Sequence, residues 1–281
     1  MLFSGNSFDV EGITVNRTRN GGDVDKHFEE AERVVKLCNL DGKIDIRKGA
    51  NGNFDQIKDH VRKPAFDGVD AVDFIIERAK AKSRRKLVLL PVGKLTNIAL
   101  ALHKDPSIAS KVRIVWLGSN YPAPGEYNQD NDIASLNYIL DTDVDFEIAL
   151  VRYGKPSGTD AVRASLVEMK KKMPGLGPRI AKPVPGRHGG EFSNFGDYSV
   201  ELFAKMRHKS RALFDMAAVA IVKNPSWASS SEIPAPRFVG RKWAERPDNA
   251  RKITLWEDFD RVKIMRDFYD TMENHVLVKT K

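Results

Sequence analysis

A chain of 281 residues, 41% hydrophobic and 30% charged, has the composition of an ordinary globular protein rather than a disordered one. No apolar run approaches the ~20 residues that span a bilayer, and a single cysteine excludes a disulfide framework or a cysteine-based zinc site. The net charge of +8 is uneven: residues 1–150 hold 21 basic and 23 acidic side chains, residues 151–281 hold 25 and 15.

The basic second half invites a nucleic-acid reading. Its lysines and arginines are, however, spread among acids. The two clusters, Arg84-Arg85-Lys86 and Lys170-Lys171-Lys172, lack the interleaved aromatic residues on which bases stack. Solvated surface is the preferred reading, so neither nucleic acid nor membrane is expected as a partner. Cys38 lies in a helical pattern and reads as a small buried side chain, which fits a reducing compartment and hence a cytoplasmic protein.

In chain order, the first residues, MLFSGNSFDVEGITV, have no charged leader and no long apolar core, so they are not a signal peptide. They read as the tail of a helix entering a strand, an unusual place for a domain to begin. The expectation is that a segment precedes it. Gly12–Asn16 is a short strand. Val24–Asn39 is a helix with the stripe Phe28, Ala31, Val34, Val35 and Cys38, and Lys43–Lys48 is a strand. Asp67–Ala81 is a helix that opens on acidic residues. Leu87–Gly93 (LVLLPVG) is an apolar strand, followed by Lys94–Leu102, in which Thr96-Asn97 starts a helix. Val112–Gly118 (VRIVWLG) is a second apolar strand, running into a Pro/Gly loop and a helix over Asp130–Leu140. Phe146–Val151 is a third.

After Tyr153 the pattern changes. Thr159–Met173 is predicted helical, capped at Ser157 or Thr159, and Pro174–Asn194 is a long Pro/Gly loop. Asp197–Met206 and Arg211–Val222 are helices. Residues 224–247 show no period, and Leu255–Thr271 is an amphipathic helix. Strand-helix alternation predicts an α/β fold: an open, mainly parallel sheet with helices on both faces. With no linker between two cores, residues 1–281 are expected to form one domain.

Several patterns fail on inspection. Gly93-Lys94 lacks the spacing of a phosphate loop, since Val88 and Leu95 stand where a glycine and a Ser/Thr are needed. Asp141, Asp143 and Asp145 imitate the start of a calcium loop, but Phe146 and Arg152 occupy its glycine and glutamate positions. His188-Gly189-Gly190 has no Gly-x-Ser-x-Gly elbow to serve. Two features are better candidates. Asp215 sits inside the apolar run LFDMAAVAIV, and a carboxylate there needs a partner or a cation unless it lies on an exposed face. Glu126-Tyr127-Asn128 follows a strand end, where open α/β sheets bind ligands. In an extended segment its two polar side chains would point the same way, toward the hydroxyls of a ligand.

Together these segments resemble the nucleoside hydrolases, the inosine-uridine-preferring N-ribohydrolases, over about residues 10–225. The family's Gly-Pro-Leu-Thr-Asn-Ile-Ala resembles Gly93–Ala99, with Lys94 for the proline. Its loop ending in Glu-Phe-Asn and entering a helix resembles Glu126-Tyr127-Asn128 and Asp132–Leu140. DGVDAVDFIIE resembles the helix before the Thr-Asn strand, and ALFDMAAVAIV resembles a late His-Asp-Pro-Leu-Ala-Val helix. The Pro-rich and helical stretch 226–281 is left as a C-terminal extension.

The resemblance implies an open α/β fold, a bound calcium ion and hydrolysis of a ribonucleoside's N-glycosidic bond by a metal-held water. By position, the Thr96 carbonyl and the Asp215 carboxylate would ligate calcium, and Asn120, Glu126 and Asn128 would bind ribose hydroxyls. The partner would be a nucleoside or related riboside, and self-association into a homo-oligomer is possible. Two departures stand out. The family's first strand, with its Asp-x-Asp-x-x-x-Asp-Asp cluster, has no counterpart in this sequence. The expectation is that it lies upstream of Met1, taking the expected base with it. Phe214 replaces a histidine that many members use on the leaving base. The alternatives are an inactive sugar- or nucleoside-binding homologue and a nucleic-acid-associated protein.

Overall fold

The computed structural model describes residues 1–206 and 208–279. The first unit is β1 (Ile13–Val15), α1 (Val24–Leu37) and β2 (Ile46–Lys48), whose strands pair in parallel with Ile13 opposite Ile46. Helices α2 (Phe54–Ile57) and α3 (Val69–Lys80) lead to β3 (Leu87–Leu89). Then come α4 (Thr96–Lys104), β4 (Val112–Gly118), α5 (Tyr127–Asn131), α6 (Ile133–Asp141) and β5 (Asp145–Leu150). The second half contributes β6 (Arg163–Ser165), α7 (Leu166–Lys172), β7 (Val184–Pro185), β8 (Glu191–Phe192), α8 (Phe195–Ala204), β9 (Ser210–Ala212) and α9 (Phe214–Lys223). It closes with β10 (Ser229–Pro234), β11 (Arg237–Val239), β12 (Lys242–Ala244), β13 (Lys252–Glu257) and α10 (Arg261–Glu273).

The central sheet has five strands in the order β10-β13-β5-β4-β3. Its pairs are parallel except for β10, which runs antiparallel to β13 at one edge. The expected open, mainly parallel α/β sheet is therefore present. Alternation along β4 divides two apolar layers: Ile114 and Trp116 face one core with Phe146 and Ile148, while Val115 and Leu117 face the other with Ala149 and Val151. Both sets are almost fully buried, as strands covered by helices on both faces must be. Gly118 is required by this packing, since a Cβ there would lie 2.2 Å from the Trp116 ring.

The β1–β2 pair is separate from the five-stranded sheet and is tied to it by asparagines. The Asn97 amide donates to Val15 O and accepts from Ala50 N, each at 3.0 Å, and Asn16 donates to Lys94 O at 3.0 Å. Asn97 lies so close to Gly49 that a Cβ at that glycine would meet its amide at 2.2 Å.

Four expectations need correction. Residues 1–8 form turns rather than a helix tail. Ser4 bridges to Val276, and Gly5 packs so tightly on Leu277 O that a Cβ would stand 2.2 Å away, which a helix with side chains could not accommodate. Thr159–Met173 is not one helix: β6 interrupts it, and α7 starts at Leu166, capped by Ser165, whose side chain forms a capping box with Glu168. Arg211 and Ala212 belong to β9, so the apolar helix begins at Phe214. Leu255–Thr271 is also divided. Lys252–Glu257 is an interior strand of the sheet, and the helix begins only at Arg261, capped by Asp260. The unpatterned 224–247 stretch holds the edge strand β10 and the hairpin β11–β12.

Cys38 is 3% exposed, and burial pushes its thiol up to about 12. The thiolate is the reactive form. Native protein at pH 8 is therefore expected to resist a thiol reagent such as Ellman's and to react at once in denaturant. Prompt reaction of the native protein would contradict this packing.

Candidate functional site

Strands β3, β4 and β5 end together, and their carboxyl ends carry the candidate residues. β4 ends at Gly118, and Ser119 turns the chain with φ +65°. Seven residues later the chain returns, because the Glu126 carboxylate accepts hydrogen bonds from Ser119 N (3.0 Å) and Gln129 N (2.9 Å). Glu126 thus closes the loop and caps the N-terminus of α5. It is 3% exposed. Burial pushes its pKa upward, the amides of Gln129, Asn128 and Ser119 draw it back, and the Asp130 charge pushes it up again.

Asn128 does not share an extended segment with Glu126, contrary to the sequence reading. It is the second residue of α5, and its amide donates to Leu117 O (2.9 Å) and Val92 O (3.2 Å). Both donor hydrogens are used on the ends of β4 and β3, leaving the carbonyl oxygen as its remaining polar atom. Asn120 accepts from Tyr153 N at 2.8 Å, joining the β4 loop to the segment after β5. Asn120, Glu126 and Asn128 are therefore brought to one place, each with part of its hydrogen-bonding capacity committed to holding the loop.

Asp215 occupies the first turn of α9, where the helix dipole favours an anion. Burial pushes its carboxyl up to about 6, Arg211 lowers it, and Glu126 raises it. The Glu126 charge is thus among those that act on the Asp215 carboxyl. The residue as a whole is exposed, although its carboxyl is hemmed in by protein. The two facts fit a carboxylate on the floor of a crevice that water enters. The exposed surface sets the energetic scale, since water screens much of the effect. Phe214 stands beside it, its ring edge-on to Tyr153 at 5.9 Å and 90°. Tyr153 was not anticipated from sequence. Its signal was its position just past the end of β5.

Thr96 opens α4 and is fully buried, but its hydroxyl turns to the Asp132 carboxylate at 2.5 Å. Asp132 also accepts from Phe54 N (2.8 Å) and Ser135 N (3.1 Å), which caps α6. This bracket too was missed, because Phe54, Thr96 and Asp132 meet only in the folded chain. Calcium takes about six to eight oxygen ligands, usually several of them carboxylates. Among the described residues no group of three His, Cys, Asp or Glu side chains is placed to hold a metal. Asp215 and the Thr96 carbonyl do not by themselves fit that requirement.

Lys94, two residues before Thr96, is 4% exposed. Its ammonium donates to Gly52 O (2.6 Å) and Asn53 Oδ1 (2.9 Å). Burial lowers its pKa, Asp132 and Asp67 raise it, and Arg17 lowers it again.

Residues 1–267 match the family model described as inosine-uridine preferring nucleoside hydrolase. The chain is 24% identical over 173 residues to the inosine-uridine preferring nucleoside hydrolase of Leishmania major, covering 61% of this chain and 52% of that protein. It is 27% identical over 176 residues to the enzyme of the same name from Crithidia fasciculata, with the same coverage. The chain thus spans about half the length of the curated relatives it matches. Its fold overlays the inosine-uridine preferring nucleoside hydrolase structure from Bacillus anthracis with a TM-score of 0.68 at 15% identity, over 98% of this chain and 93% of that one.

Two outcomes follow from the site. Because the Asp215 pKa is raised above its usual 3.8, the folded state binds more protons than the unfolded state between pH 3.8 and about 6, so stability falls as pH rises through that window. Urea melts at pH 4, 5, 6 and 7 should show a shallower decline in Asp215→Asn than in the parent, and identical slopes would contradict the crevice position. Asp132→Ala leaves the Thr96 hydroxyl and the Phe54 and Ser135 amides without their shared acceptor. Equilibrium unfolding should show a loss of about 3 kcal/mol, and a loss below about 1 kcal/mol would contradict the bracket.

Proposed function

Since this chain belongs to the inosine-uridine preferring nucleoside hydrolase family, we propose that it acts on the N-glycosidic bond of a ribonucleoside or related riboside. The observation that supports this reading is the gathering of Asn120, Glu126 and Asn128 at the carboxyl end of β4, with the Glu126 charge acting on the Asp215 carboxyl. In this reading the Asn128 carbonyl oxygen and the Glu126 carboxylate accept from ribose hydroxyls. The Asp215 carboxylate lies below the ring, and Phe214 and Tyr153 border the space for the base. The reaction adds water to the anomeric carbon, breaks the carbon–nitrogen bond and releases ribose and the protonated base. Hydroxyl contacts that strengthen as the ring takes oxocarbenium character would accelerate it. Phe214 has no titratable group, so protonation of the leaving base falls to another donor.

Calcium is the metal that the resemblance implies, with Thr96 and Asp215 as its candidates in this chain. Since those residues do not complete a site, no step is assigned to it. A cytoplasmic setting belongs to the same reading. It is supported by the one buried cysteine, and no helix among the described residues is long and apolar enough to cross a membrane.

The lack of a three-acid cluster among the described residues favours a second reading, a homologue that binds nucleosides without cleaving them. Calorimetry with inosine and uridine, paired with a hydrolysis assay in added calcium, separates the two. The first reading expects binding with release of free base, and the second expects binding alone. No binding of either nucleoside removes both. In either case Glu126→Gln keeps an acceptor for the loop amides but removes the charge. It should weaken nucleoside binding about tenfold, the scale of exchanging a charged for a neutral hydrogen bond.

A further inference from the structure

A second cavity, of about 430 Å³, opens at the carboxyl ends of β1, β2 and β3. Pockets of this volume take small-molecule ligands. Three cationic side chains, Arg17, Arg19 and Lys94, line it, and no carboxylate does. The nearby acids point elsewhere: Asp67 accepts from Asn51 N (3.0 Å) and Gly52 N (2.7 Å), and Asp132 is committed to the bracket described above.

The neutral lining is biased in the same direction. Each side-chain amide in the wall has its oxygen occupied. Asn51 Oδ1 accepts from Val24 N (2.9 Å), Asn53 Oδ1 from Lys94 Nζ (2.9 Å), Gln56 Oε1 from Asn53 N (2.8 Å) and Asn131 Oδ1 from Arg19 N (2.7 Å). These bonds fix the amide orientations. The amino groups of Asn51, Asn53 and Gln56 are left as uncommitted donors. Neither Arg17 nor Arg19 forms an ion pair among the described residues, and Lys94 keeps one of its three hydrogens beyond its two bonds. The cavity thus offers donors and positive charge with almost no acceptor.

The geometry points to an anion subsite for a phosphoryl group. Arginine forks and a lysine match phosphate oxygens in both charge and donor count. The subsite is joined to the crevice through α5, whose Asn128 faces the crevice and whose Asn131 lines the cavity one turn further on. The ligand class is a phosphorylated pentose or 5′-phosphorylated riboside. Its riboside half rests on the nucleoside reading above, and its phosphoryl half does not.

The test is calorimetry on the full chain with ribose, ribose 5-phosphate, inorganic phosphate and inosine, repeated on the Arg17→Gln/Arg19→Gln double variant. Both arginines are exposed, so the variant should melt like the parent. Ribose 5-phosphate should bind at least tenfold tighter than ribose, inorganic phosphate should compete with it, and added salt should erode the advantage. The double variant should lose the advantage while keeping its affinity for inosine. Equal binding of ribose and ribose 5-phosphate, or an advantage that survives in the double variant, overturns the subsite. If phosphate binds and inosine does not, the subsite stands and the nucleoside reading fails. If inosine binds and phosphate does not, the reverse holds.

Discussion

The crevice depends on one buried carboxylate. Glu126 is held away from solvent, and a charge in that position is tolerable only when hydrogen bonds replace its lost water. The amides of Ser119 and Gln129 do so, and in doing so they fix where β4 stops, where α5 starts and how the loop between them folds back. Asn128, fixed by the same turn of helix, locks the ends of β3 and β4 together. The apolar strands beneath supply the rigidity: β4 is packed on both faces and gives the loop a base that cannot shift. A polar site placed on such strand ends is pre-organised by the core rather than by the ligand.

Much of this was legible in the chain. The VRIVWLG and FEIALV runs mark buried parallel strands, because strands covered on both faces read as continuous apolar stretches, and LVLLPVG marks the parallel edge strand beside them, whose Val88 is exposed. Thr96-Asn97 as a helix start followed from its position after LVLLPVG, Glu126 and Asn128 became candidates because they follow VRIVWLG, and Asp215 because a carboxylate interrupts an apolar helical run. The second half misled for a local reason. The sequence KITLWEDFDRVKIMRDFYD carries apolar residues that also fit a helical spacing, so the strand Lys252–Glu257 merged with α10. The Asp260 cap three residues before Lys263 marks the true boundary. The Ser165-x-x-Glu168 capping box was likewise readable and would have divided the segment 159–173 correctly.

The rest was not local. Asp132 is one acid among many until Thr96 and Phe54 arrive from elsewhere in the chain. Lys94 departs from the proline of the motif it otherwise resembles, and only the fold shows that its ammonium reaches the Asn53 side chain beside Arg17 and Arg19. Asparagine side chains carry much of this long-range work: Asn16, Asn97 and Asn131 each join segments more than 45 residues apart. Their role is set by which backbone groups they meet, and spacing alone does not reveal it. The result is a strand-end region lined by carboxylates and amides, beside a cavity lined by two arginines and a lysine.

If the carboxyl ends of β3, β4 and β5 recognise the ligand, side-chain amide and backbone NMR of the isotopically labelled protein, titrated with inosine, should show perturbations concentrated at Asn128, Glu126, Tyr153 and Asp215. Perturbations confined to the sheet-face groove around Ser230, Glu232 and Thr254, or none at saturating inosine, would contradict it.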